Sequence, residues 1–172
     1  MKTFKNYLLS AAAVLALACS VPLLAAAQDQ VVILTGAELS RVVPPGFYFQ
    51  GLSAPTQMRN AAAARSGSNR YVIAGLVDTA GYAADVRAKY EGLFITDSLI
   101  SISGTELGTG AYGFGFSNDG KLNILDLAGN QVLSVSTTKD SSLRRARPLT
   151  MIKSGNEVRL YRGKDYAVIA FR

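Results

Sequence analysis

The chain has no histidine and no tryptophan, and its single cysteine, Cys19, lies in an N-terminal segment that reads as an export signal. Each absence excludes a chemistry. Without imidazole there is no general base poised near neutral pH. Without a cysteine beyond that segment there is no thiol nucleophile, no disulfide and no thiolate metal ligand. Most familiar catalytic constellations cannot be built from what remains. No D-x-D-x-D-G calcium loop is present either, so neither a metal nor any other cofactor is expected. The carboxylates Asp78, Asp85, Glu91, Asp97, Asp119, Asp126, Asp140 and Asp165 are scattered along the chain, and Asp119, Asp126 and Asp165 sit in turn-like contexts. A carboxylate-dependent hydrolase remains an alternative, because a glycosidase-like pair needs two carboxyls at a defined separation that sequence does not reveal.

What is present begins with Lys2 and Lys5 ahead of an apolar stretch from Tyr7 to about Ala18, followed by a break near Pro22 and then Ala25-Ala26-Ala27 before polar Gln28. That order of positive, apolar and small residues is a secretory signal with cleavage expected near Ala27. The run is too interrupted to read as a membrane-spanning helix. Lipoprotein processing at Cys19 is the other outcome, since Ala16-Leu17-Ala18-Cys19 loosely resembles a bacterial lipobox, although the usual leucine three before the cysteine is alanine. Removal of residues 1–27 leaves 145 residues, enough for one β-rich domain over 28–172 with its own core. Lys2 and Lys5 leave with the signal, so the formal charge falls from +6 to +4. The location expected is periplasmic or extracellular.

From Leu93 onward apolar residues recur at every second position, between turn signals such as Asn118-Asp119-Gly120, Gly129-Asn130, Gly155-Asn156 and Gly163-Lys164-Asp165. The pattern predicts strands over 93–96, 99–103, 111–117, 121–127, 131–137, 149–153, 157–161 and 166–171. Upstream, 31–34, 46–50 and 71–77 read as further strands. Asp85 to Glu91 fits both a half-buried strand and a helical stripe, and the flanking Gly81 and Gly92 favour the strand. The one helix expected is Pro55 to Arg65, with Ser53 as its cap and Ala61 to Ala64 as strong helix formers. The fold class is therefore mainly β, an antiparallel β-sandwich with one short helix, the alternative being a small β-barrel.

Gly108-Thr109-Gly110-Ala111-Tyr112-Gly113 spells the G-x-G-x-x-G dinucleotide pattern, but it runs into alternating Tyr112, Phe114 and Phe116 rather than into a helix. As a strand it places the aromatics on one face and leaves a nearly bare glycine face for a packed element or a ligand. Gln57, Arg59 and Asn60 follow the aromatic run Phe47-Tyr48-Phe49, and with Tyr48 and Arg87 they are the candidate ligand-binding residues. Guanidinium and amide groups supply oriented donors for carboxylates or sugars, and aromatics supply a stacking surface. Ser53, Thr56 and Asn60 also suit local capping. Arg144, Arg145 and Arg147 form a basic loop within the polar connection Thr138 to Pro148. Three arginines fall below the four to eight that mark a lipid-binding patch, and no aromatic interleaves them, so no nucleic-acid partner is expected. The reading is a non-catalytic binding or structural, envelope-associated module whose partner is a small molecule, a glycan or an envelope component. The alternative is a self-assembling surface or filament subunit that pairs through its N-terminal strand.

Overall fold

A computed structural model describes residues 30–172. Residues 1–27, the segment expected from sequence to be an export signal, lie with Cys19 outside the described residues. The elements run β1 (Val31–Leu34), α1 (Gly36–Val42), β2 (Gly46–Phe49), β3 (Leu52–Ser66), β4 (Arg70–Val77), α2 (Ala84–Arg87), β5 (Gly92–Thr96) and β6 (Ile100–Ile102). They continue with β7 (Thr105–Leu107), β8 (Gly110–Ser117), β9 (Lys121–Leu125), β10 (Gln131–Ser136), β11 (Thr138–Lys139), β12 (Arg147–Ser154), β13 (Glu157–Gly163) and β14 (Asp165–Phe171). Strands hold 59% and helices 8% of the described residues, so pairing between strands carries the architecture.

One sheet has eight strands in the order β1-β3-β4-β5-β8-β9-β10, with β2 beside β1 on the same flank of β3. The other has six, β12-β13-β14-β6-β7, with β11 added to β14. Every pairing is antiparallel, as short turns between period-two segments require. The sheets are not hydrogen-bonded into a closed ring, which settles the choice between sandwich and barrel in favour of the sandwich.

Inward-facing residues of both sheets meet in one core, among them Phe94, Phe114 and Ile124 from the first sheet and Leu160 and Ile169 from the second, all 0% exposed. The large sheet is buried on its outer face as well. There β2 and the connection from Asp78 to Glu91 bring Phe47, Phe49, Tyr82 and Tyr90 down onto Ala63, Ile73 and Leu93. Burial on both faces explains why β4 reads as a continuous apolar run, Val72 to Val77, instead of alternating. The bare glycine face of β8 is filled by this outer layer. A β-carbon on Gly113 would stand 2.5 Å from a ring carbon of Phe49, and one on Gly115 would stand 2.3 Å from the Lys89 carbonyl oxygen. The Phe49 and Tyr90 rings stack at 3.9 Å directly over that strip.

Two expectations are corrected. Pro55 to Arg65 is not a helix; it lies within the 15-residue strand β3. Ala61 to Ala64 pair with β4, and Ala63 and Ala64 also pair with β1. Ala62, Ala63 and Ala64 are 5%, 0% and 0% exposed because side chains this small fit where both faces are covered, and that tertiary demand overrides alanine's helix preference. Asp85 to Glu91 is not a strand. The short helix α2 occupies its start, with the Tyr90 amide donating to the Val86 carbonyl at 2.9 Å, so that Tyr90 enters the outer core while Arg87 stays outside. Helix α1, β7 and β11 carried no sequence expectation, and β12 begins at Arg147, inside what reads as a loop.

Candidate functional site

The pairing of β3 with β4 slips near one end. Thr56 pairs with Val77 and Ala61 with Gly75, so β3 carries three more residues between these pairs than its partner does. The surplus residues leave the ladder as a bulge and project Gln57 and Asn60 at the end of the sandwich. The connection from Asp78 to Glu91 reaches the same end and brings Thr79, Arg87 and Glu91. From the other sheet, Arg162 near the end of β13 reaches the same place.

Arg162 spans the two sheets. Its Nε and Nη2 donate to Oε1 of Glu91 at 3.2 and 3.0 Å, and Oε2 of Glu91 accepts from the Phe116 backbone amide at 3.1 Å. The side chains are 38% and 26% exposed, so the pair is partly shielded yet still forms surface. A cleft opens on each side of it. One lobe, about 420 Å³, is lined by Gln57, Asn60, Thr79 and Arg87 over Leu76 and Val77, with Glu91 and Arg162 as a shared wall. The other, about 800 Å³, is lined by Phe116, Ser117, Asp119, Ser136, Thr137 and Lys139 among others, again with Glu91 and Arg162. Both volumes fall in the range of small-molecule sites, about 300 to 1,000 Å³. Their walls are rich in amides, hydroxyls and charge, which suits a hydroxylated ligand better than an apolar one.

The first lobe is oriented by a relay. Gln57 Nε2 donates to the Val77 carbonyl at 3.1 Å, which turns its Oε1 toward Asn60, whose Nδ2 donates to it at 3.0 Å. Asn60 Oδ1 accepts no hydrogen bond among the described residues. Tyr90 lines the lobe but is 1% exposed and stacked on Phe49, so its ring offers no platform to a ligand. Its hydroxyl is pushed well above the ordinary tyrosine range, first by burial and then by the neighbouring Tyr82.

Of the residues singled out from sequence, Gln57, Asn60 and Arg87 therefore share one lobe. Arg59 is exposed and lines neither lobe, and Tyr48, 57% exposed on β2, is likewise away from both. The basic loop is also elsewhere. Arg147 lies over the Tyr161 ring at 5.3 Å as the first residue of β12, while Arg144 and Arg145 are exposed. The loop is anchored by Asp140, which accepts from the Ser142 amide at 3.1 Å and from the Tyr161 hydroxyl at 2.9 Å. Hydrogen bonds from Ser142 and then Tyr161 hold the Asp140 carboxyl below its ordinary value.

Sequence reasoning missed Arg162, which stands 71 residues from Glu91, a separation no local pattern reveals. It also counts no S-x-x-K motif beyond residue 27, which is wrong, because Ser136-Thr137-Thr138-Lys139 has that spacing of serine–lysine enzymes. Both ends of that tetrad line the larger lobe. The segment runs along β10 and β11, and three residues of extended chain separate the two positions by roughly 10 Å, whereas that chemistry needs hydrogen-bond reach. Two carboxylates of the cleft are engaged structurally, Glu91 by Arg162 and Asp119 by the Ser117 hydroxyl and by Lys121 at 2.9 Å, whereas Asp165, which also lines the larger lobe, has no side-chain partner among the described residues. Among the described residues no group of three or more His, Cys, Asp or Glu side chains is arranged to hold a metal. No helix among them is long and apolar enough to cross a membrane. Compared with known proteins, the chain matches no family model, no curated protein and no solved structure, so this cleft and its chemistry are what a functional reading rests on.

Proposed function

We propose that the protein is an exported, non-catalytic binding module that holds a hydroxylated small molecule or glycan in the cleft beside the Glu91–Arg162 pair. The supporting observation is convergence: Gln57 and Asn60 from the β3 bulge, Arg87 from α2 and Arg162 from the opposite sheet line one concavity of about 420 Å³. Gln57, Asn60 and Arg162, held by neighbouring hydrogen bonds, lose little freedom when a ligand arrives, and such preorganisation is what converts contacts into affinity. Titration of the 15N-labelled protein with a panel of neutral and acidic mono- and disaccharides tests the reading. Amide shifts concentrated around Asn60, Arg87, Glu91 and Arg162 are expected. No shifts, or shifts scattered over the surface, would overturn it.

A second reading, self-association through the N-terminal strand, draws on the position of β1 at the edge of the eight-stranded sheet, where Val32 is 37% exposed. An uncharged edge strand is a template for pairing. Size-exclusion chromatography across a wide concentration range tests it, with a growing dimer or oligomer fraction expected and a monomer throughout counting decisively against it.

A further inference from the structure

The smaller lobe has a definite pattern of donors and acceptors. Glu91 is consumed by Arg162 and the Phe116 amide, so that pair presents little net charge to a ligand. Arg87, which lines the same lobe, has no acceptor among the described residues. The relay from Val77 through Gln57 leaves Asn60 with Oδ1 and one N–H uncommitted. A lobe built this way offers one unpaired guanidinium fork for an anion and, within the same concavity, an amide for hydroxyls. A guanidinium binds a planar carboxylate through two parallel hydrogen bonds, and an amide oxygen accepts from a hydroxyl. The absence of an available aromatic face leaves hydrogen bonding and charge as the means of recognition.

We infer that the Gln57–Asn60–Arg87 lobe selects a carboxylate-bearing sugar residue, with the carboxylate on Arg87 and a neighbouring hydroxyl on Asn60. The inference rests on the binding reading above and adds the chemical class of the ligand. Two sources supply such a residue, a uronic acid of an acidic polysaccharide or a muramic acid of a cell-wall glycan, and both place an acid among hydroxyls.

Isothermal titration calorimetry on the purified protein separates the cases, using trigalacturonic acid, the disaccharide of N-acetylglucosamine and N-acetylmuramic acid, and neutral diacetylchitobiose as probes. At least one acidic probe is expected to bind roughly tenfold to a hundredfold more tightly than the neutral one, the range a charge-assisted hydrogen bond supplies. Whichever acidic probe binds identifies the source. Arg87→Gln is expected to collapse that ratio toward one, and Asn60→Asp, which sets a like charge beside the acid, to weaken acidic binding more than neutral binding. Circular dichroism of each variant checks that the fold is kept. Equal binding of acidic and neutral probes, or a preference that survives Arg87→Gln, overturns the inference while leaving the cleft as a binding site. Failure of all three probes together with no saccharide response by NMR overturns both.

Discussion

At the scale of single residues, the three glycines of Gly108-Thr109-Gly110-Ala111-Tyr112-Gly113 meet quite different surroundings, although they spell one motif. A β-carbon at Gly108 would meet nothing within 4 Å, one at Gly110 would meet the Tyr112 ring at 2.8 Å, and one at Gly113 would collide with Phe49 at 2.5 Å. Gly110 and Gly113 lie in strand β8, not at the helix N-terminus where the dinucleotide pattern works. Gly113→Ala is expected to destabilise the protein by about 1 to 3 kcal/mol, because the stacked Phe49 and Tyr90 rings must shift to admit it. Gly108→Ala should lie within about 0.5 kcal/mol of the parent. Urea denaturation of both variants checks the contrast, and a Gly108 variant as unstable as the Gly113 one would refute this account of the strip.

Among the elements, the tie from β13 to the start of β5 is the connection that sequence could not foretell, and its strength is measurable. Glu91→Ala strands the Arg162 guanidinium and the Phe116 amide, at an expected cost of about 1 to 2 kcal/mol given the partial exposure of the pair. A double-mutant cycle with Arg162→Ala should show a coupling of about 0.5 to 1 kcal/mol, and strict additivity would mean the pair contributes nothing. The legible parts of the fold were those governed by local pattern, such as β9 and β10 with the turns that flank them, where alternation and Gly or Asn corners both act within a few residues. The illegible parts were governed by layers meeting. Ala61 to Ala64 is locally a helix former and becomes a strand because β1 and β4 flank it. Asp85 to Glu91 satisfies two periodicities at once, and the outer core chooses between them by burying Tyr90. The same logic divides the candidate site. Gln57 and Asn60 were visible as polar residues after an aromatic run, whereas their company with Arg162 depends on the sandwich closing.

For the molecule as a whole, the absence of histidine shapes its response to pH. Asp119, Asp126 and Asp140 all have carboxyls held below the ordinary value of 3.8, chiefly by hydrogen bonds from Ser117, Asn130 and Ser142 respectively. A carboxyl whose folded value is depressed binds more protons when unfolded, so its stabilisation is complete above the unfolded value and disappears as pH falls through the folded one. With no imidazole to titrate between, the melting temperature should be flat from about pH 5 to 7 and fall below about pH 4. Thermal melts over that range check the prediction, and a midpoint that drifts between pH 5 and 7 would contradict it. Replacing the three aspartates together with asparagine should flatten the acidic limb.

The slipped pairing of β3 against β4 has a consequence for how such a scaffold diversifies. Because the extra residues stand outside the hydrogen-bonded ladder, their number and identity can be altered without moving the strands that continue on either side. The rim of the opening is thus a replaceable part fitted to a fixed frame. Relatives or designed variants are free to change what they hold by rewriting a handful of positions there while keeping every rung below.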